Sequence, residues 1–194
     1  MDQMPGIVSR VPWIPFIAIQ FLEAVLRPDM NVFEWGSGGS TLFYAQRVAR
    51  IVSIEHEREW HRKVEADLRG VGNAECHLIE AEHGAIAGSK SDASAYFSES
   101  VPGTNFRRYA SAIDSYEPFD VVMIDGRARP SCVMHARTKV KTGGFLILDD
   151  SERAYYEKSV QEFLGTWEHA TFHGSGPHIS SRWQATFYKA PAVT

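Results

Sequence analysis

Val32-Phe33-Glu34-Trp35-Gly36-Ser37-Gly38-Gly39-Ser40 runs an apolar strand into an acidic residue and then into a turn dense in glycine. Gly36, Gly38 and Gly39 remove side chains where a strand must reverse tightly into a helix, so a ligand can approach the backbone closely. Ser40 and Thr41 can cap the helix that follows. The stretch from Gly36 through Ser37, Gly38 and Gly39 to Ser40 is therefore where a cofactor is expected.

Outward from this turn, short β-rich runs alternate with amphipathic segments. Strands are expected at 31–34, 51–55, 75–79, 120–124 and 145–149, and helices at 41–49, 60–69, 130–139 and about 154–164. Runs such as Val121-Val122-Met123-Ile124 and Phe145-Leu146-Ile147-Leu148 are what strands covered on both faces look like, so the sheet is expected to be parallel. Gly143-Gly144 reads as a helix C-cap before the last of these strands. The order is that of a doubly wound α/β fold. Two regions depart from it. Residues 84–106 are small, polar and non-periodic, a long connection open to two readings: a lid held by Tyr96 and Phe97, or a disordered loop. Runs at 168–173 and 184–189 suggest a C-terminal antiparallel hairpin whose loop reaches the ligand-binding rim.

The 194 residues suit one domain, with an N-terminal helical segment (1–29) and a cofactor-binding α/β core (30–194), folding of which buries roughly 70% of the unfolded surface. The net charge is -4 with the basic residues scattered, which argues against nucleic acid as a partner. Cys76 and Cys132 indicate neither a disulfide framework nor a zinc site and fit a reducing cytoplasm. The apolar run at 11–26 is shorter than the roughly 20 residues a membrane span needs and contains Glu23 and two prolines; it reads as a buried helix from about Pro15, stopped at Pro28. No membrane partner is expected, and a homodimer is compatible with the composition.

Each expected core strand ends in acids: Glu34, Glu55, Glu80 with Glu82, Asp125, and Asp149 with Asp150. One such acid is ordinarily a helix cap or a solvated loop residue; together they outline a site. Glu55 lies 19 residues after Gly36, at the end of the second strand, where an acid can accept hydrogen bonds from a ribose diol. His56 either covers an adenine edge or is a surface histidine. The turn lacks the third glycine in register of a nicotinamide-binding Gly-x-Gly-x-x-Gly, and Glu34 repels a pyrophosphate but suits a cofactor with a cationic amino-acid end.

Glu34-Trp35-Gly36-Ser37-Gly38-Gly39 resembles the glycine-rich first motif of class I S-adenosylmethionine-dependent methyltransferases, and Glu55 their second-strand acid. The resemblance extends through Phe119 to Gly126 and Lys141 to Asp150, and with the hairpin covers about residues 30–190. It implies a Rossmann-like seven-stranded, mostly parallel sheet with the last strand antiparallel. It also implies Glu34 and the Gly36–Gly39 backbone near the methionine portion, Glu55 on the ribose, and Ala81 and Glu82 near adenine. Asp125, followed 24 and 25 residues later by Asp149 and Asp150, resembles the metal-binding acids of catechol-type O-methyltransferases, with Asp150 in place of an asparagine. These three are the candidate ligands for Mg²⁺ or Ca²⁺ and the candidate catalytic acids. Neutralisation by arginine is the alternative.

Arg127, Arg129 and Arg153 can bind an anionic or polyhydroxylated acceptor or pair with the acids. His178, Arg182 and Trp183 can close over a substrate, while Trp183 can equally be core. Asp125 is expected at both cofactor and acceptor; Arg127, Arg153, His178 and Trp183 at the acceptor. The activity expected is O-methylation of a small polar or sugar-like molecule. A non-catalytic S-adenosylmethionine-binding module and a nicotinamide-dependent oxidoreductase are the alternatives.

Overall fold

The computed structural model describes residues 10–177 and 183–192. Five strands, β1 (Asn31–Trp35), β2 (Arg50–Glu55), β3 (Ala74–Leu78), β4 (Phe119–Ile124) and β5 (Val140–Asp149), are joined by the hairpin strands β6 (Glu168–Gly174) and β7 (Trp183–Lys189). They form one sheet in the order β3-β2-β1-β4-β5-β7-β6, parallel from β3 to β5, with β7 antiparallel to both neighbours. The fold is thus the expected seven-stranded, mostly parallel α/β sheet ending in an antiparallel hairpin. The winding reverses between β1 and β4, and such a switch point opens a crevice at the carboxyl ends of the strands.

Strand residues alternate between two buried layers. Phe33, Trp35, Val52, Ile54, Val122, Ile124, Leu146 and Leu148 face one core. Val32, Ile51, Val121, Met123, Ile147 and Phe187 face the other. The helices are α1 (Phe16–Val25), α2 (Gly39–Ala45), α3 (Arg58–Asp67), α4 (Arg107–Ala110), α5 (Arg129–Ala136) and α6 (Glu157–Leu164). On α1, Phe21 packs edge-on against Phe145 and Phe187 and beside Phe172, which seats the N-terminal helix on the hairpin side of the sheet. No helix among the described residues is long and apolar enough to cross a membrane.

Several local expectations are corrected. Gly143-Gly144 caps no helix: both lie inside β5, which starts at Val140, and Gly143 at φ +73° makes an irregularity where its N–H reaches Ala190 O at 3.0 Å. The β4–β5 register shifts between Phe119 and Val121, so the glycines absorb an offset between strands. The helix after the glycine turn ends at Ala45 rather than 49. The segment 84–106 is pinned to the domain. Glu82–His83 pairs antiparallel with Thr104–Asn105 at its two ends. Ala95 and Tyr96 are buried, and the Tyr96 hydroxyl meets His135 Nε2 at 3.2 Å.

Candidate functional site

The glycine turn is built from below. Thr41 and Ser53 both donate hydroxyl hydrogen bonds to Glu34 Oε1, and Thr41 Oγ1 in turn accepts from the Gly38 N–H at 3.0 Å. Thr41 therefore caps α2 from inside its first turn, with Gly38 at the N-cap position where Ser40 was expected to act. Gly36 has φ +91°, and a β-carbon on it would lie 2.9 Å from the Asp125 carbonyl carbon and oxygen. Only glycine meets both conditions. Burial pushes Glu34 up to about 7 against the hydrogen bonds from Ser53, Thr41 and Ser40. Its Oε2 has no donor among the described residues.

Glu55, at the end of β2, is nearly as buried but differently served. Its Oε2 accepts from Ser37 N at 3.2 Å and Ser37 Oγ at 3.0 Å. Its Oε1 accepts from the N–H groups of His56 and Glu57 at 2.7 and 2.9 Å. Burial alone would raise its pKa; the hydrogen bonds from His56 and Glu57 outweigh it and hold the carboxyl below its ordinary value. Arg127 Nε donates to His56 Nε2 at 3.1 Å, and His56 Nδ1 lies 2.9 Å from Glu55 Oε1. Glu57 accepts from the backbone N–H groups of Glu59 and Trp60 and caps α3. That orientation lays the Trp60 ring against Gly38 and lets its Nε1 donate to Ser37 O at 2.7 Å.

Together these groups enclose a cavity of about 360 Å³ at the carboxyl ends of β1, β2 and β4. Gly36, Ser37, Gly38, Gly39, Ser40, Glu55, His56 and Asp125 line it, as does Arg127. Glu34 lies beneath its floor. Ala81 and Glu82, expected near adenine, are not in its wall. Ala81 packs on the core, and Glu82 is held in the short strand pair, where its carboxylate accepts from Arg108 N at 2.9 Å. Val11, Trp13, Glu57, Trp60 and Gly126 complete the lining. The sequence alone carries no signal for the first two, which arrive from the distant N-terminal segment. Trp60 had one faint sign, an aromatic in the first helical turn after the β2 acid.

Asp125, Asp149 and Asp150 do converge, but around a guanidinium. Arg129, in the first turn of α5, is 2.8 Å from Asp125, 3.3 Å from Asp149 and 3.2 Å from Asp150. It also donates to the carbonyls of Gly126 and Asp149 at 3.1 and 2.5 Å, tying the ends of β4 and β5 together. The three acids do not fit a divalent ion, because a cation of the protein's own stands among them. No group of three His, Cys, Asp or Glu suited to a metal occurs among the described residues. Burial raises the pKa of Asp125 and, far more, of Asp149; Arg129 opposes the rise in both. The two carboxyls act on each other, and Asp149 Oδ1 accepts from no donor among the described residues. Ala128 and Asp150, which flank this cluster, both have left-handed backbone, φ 47° and 49°, a conformation that costs about 1 kcal/mol or more each for non-glycine residues.

Of the expected acceptor residues, Arg127 reaches the cavity and Arg153 lies beyond it. Arg153 pairs with Asp150, and its Nη1 donates to the Tyr156 hydroxyl at 3.4 Å. Trp183 is 5% exposed and donates through Nε1 to Asp150 at 3.1 Å, so it positions that acid from the core instead of offering a platform to a substrate. His178 and Arg182 lie outside the described residues.

The sequence matches no family model and no curated protein. Solved structures are similar in fold. The O-methyltransferase from Bacillus cereus in complex with SAH is 15% identical, covers 94% of this chain and 86% of its own, and superposes with a TM-score of 0.63. Precorrin 8W decarboxylase from Methanobacterium thermoautotrophicum is 15% identical over 97% of this chain and 92% of its own, with a TM-score of 0.61. A methyltransferase-like protein from Silicibacter pomeroyi is 21% identical over 93% and 89%, with a TM-score of 0.58. At these identities the likeness is one of fold, the Rossmann-like seven-stranded fold that these solved methyltransferase structures share.

Proposed function

We propose that this chain is an S-adenosylmethionine-dependent methyltransferase acting on a hydroxyl of a small polar acceptor. One observation carries the reading: the Gly36–Gly39 turn and the Glu55 carboxylate form adjoining walls of one cavity of about 360 Å³, which Asp125, packed beside Gly36, also lines. A cavity of that size suits a nucleoside cofactor. The turn keeps free of side chains the backbone against which such a cofactor lies, and Glu55, ionised, accepts from ribose hydroxyls. To do so it exchanges its bonds with Ser37 for bonds with the ligand. Trp60 and His56 offer apolar ring surface for a base.

When bound, the cofactor supplies a methyl group on a sulfonium that loses its charge on transfer. The residues of the chain align the acceptor behind that methyl and take its proton. Asp125 is the group placed to do so. Its side chain is 26% exposed, whereas Asp149 behind it is 2% exposed. Asp125 also has a raised pKa, which suits a base. Arg129 holds Asp125 in place and supplies the fixed positive charge.

Calorimetry with S-adenosylmethionine, S-adenosylhomocysteine and NAD tests the assignment. The first two are expected to bind and NAD is not, with Glu55→Ala weakening binding by about tenfold or more. Binding of NAD alone would make the protein an oxidoreductase candidate, and binding without transfer to any acceptor a cofactor-binding module.

A further inference from the structure

Beside the cofactor cavity lies a second, smaller cleft of about 40 Å³, walled by residues of the pinned loop (Phe97 to Ser100), by the turn from Gly126 to Pro130 and by Arg153, Tyr155 and Tyr156. It shares Gly126 and Arg127 with the larger cavity. Three guanidinium groups line it, and their charges are unequally matched. Arg129 faces Asp125, Asp149 and Asp150, and Arg153 faces Asp150. Glu99, the carboxylate in the cleft wall, is paired with Lys90 at 2.7 Å. Arg127 stands apart: its hydrogen-bond partners are His56 Nε2 and the Ser100 hydroxyl, each at 3.1 Å. No acid among the described residues forms an ion pair with it.

We propose that this cleft is an oxyanion subsite of the acceptor, in which a carboxylate or phosphate group lies against Arg127 and Arg153 while the rest of the acceptor reaches across Gly126 into the cofactor cavity. The proposal rests on the methyltransferase reading for the identity of the ligand as an acceptor. A guanidinium lacking an acid partner in a partly enclosed cleft is a strong attractor for an oxyanion, and its forked donors match two oxygens. The cleft has room for a headgroup of a few heavy atoms and not for a ring. The Tyr155 hydroxyl, which donates to that of Tyr156 at 3.4 Å, adds a polar edge.

Calorimetry on the full chain separates this proposal from the reading it rests on. Affinity for S-adenosylhomocysteine is measured first; benzoate, phenyl phosphate and benzamide are then titrated with and without it. Benzoate or phenyl phosphate is expected to bind and benzamide is not. Arg127→Gln and Arg153→Gln should each weaken anion binding by about tenfold or more, and Arg127→Lys should restore part of the loss. The two substitutions sit on different elements, so one folded variant, checked by thermal unfolding, is enough. Benzamide binding as well as benzoate, binding of neither anion, or anion binding indifferent to the substitutions overturns the subsite. Anion binding without binding of S-adenosylhomocysteine leaves the subsite standing and removes the methyltransferase reading. Which anion binds distinguishes carboxylate from phosphate.

Discussion

Replacing Glu34 by glutamine isolates the energetic cost of the acid under the glycine turn. Glu34 is fully buried, and burial moves its pKa from 4.5 to about 7. In the unfolded chain it ionises near 4.5, so between that pH and 7 the native state holds a proton that the unfolded state has lost. A pKa raised on folding gives stability that is fully present below the unfolded value and is lost as pH climbs through the folded one. Two and a half decades at ~1.4 kcal/mol each amount to about 3 kcal/mol. Glutamine has nearly the same shape and stays neutral at every pH. Its Oε1 can keep the hydroxyl hydrogen bonds from Ser53 and Thr41. Glu34→Gln is therefore expected to match the parent below about pH 4.5 and to exceed it by up to about 3 kcal/mol near pH 8. Urea unfolding of both proteins at several pH values, with midpoint and slope fitted together, measures the difference. A pH-independent difference, or a glutamine variant less stable than the parent at the higher pH, refutes the argument that desolvation dominates at this carboxyl.

Three further outcomes follow from the same geometry. A β-carbon at Gly126 would fall 1.9 Å from the Tyr109 hydroxyl, which is buried without a partner among the described residues. Gly126→Ala should cost about 1–3 kcal/mol, Tyr109→Phe alone should gain about 1 kcal/mol, and the pair should recover at least about half the loss in a thermal-unfolding double-mutant cycle. At the acid cluster, Arg129→Gln should destabilise by about 3–5 kcal/mol, because it leaves buried charge unmatched. Asp149→Asn should stay within about 1 kcal/mol at neutral pH, since burial raises the Asp149 pKa and asparagine resembles the protonated carboxyl; comparable losses in denaturant unfolding would contradict that reading. Methyl transfer from labelled cofactor should be indifferent to EDTA. Loss of activity restored by Mg²⁺ would show that the acids serve a metal.

Much of the architecture was legible along the chain because each element carries its own pattern. Val121 to Ile124 and Phe145 to Leu148 are continuous apolar runs, and a strand buried on both faces needs that and little else. The glycine turn was legible for a related reason, since the positive φ of Gly36 and its close approach to Asp125 are demands that glycine alone meets. Gly143-Gly144 misled because the same residue type serves a helix end and a strand irregularity, and the choice depends on the register of β4 against β5.

The site divides along the same line. The sequence by itself determined the doubly wound order, the glycine turn and the acid at the end of β2, because these follow from local periodicity, backbone conformation and spacing. It also put three aspartates at strand ends, but their charge state was not in it. Only the tertiary structure decided that Arg129 stands among them, that burial raises the Asp149 pKa, and that Arg127 forms no ion pair with an acid among the described residues. Burial and the sum of neighbouring charges set those properties, and both depend on residues that meet only when β4, β5 and α5 come together.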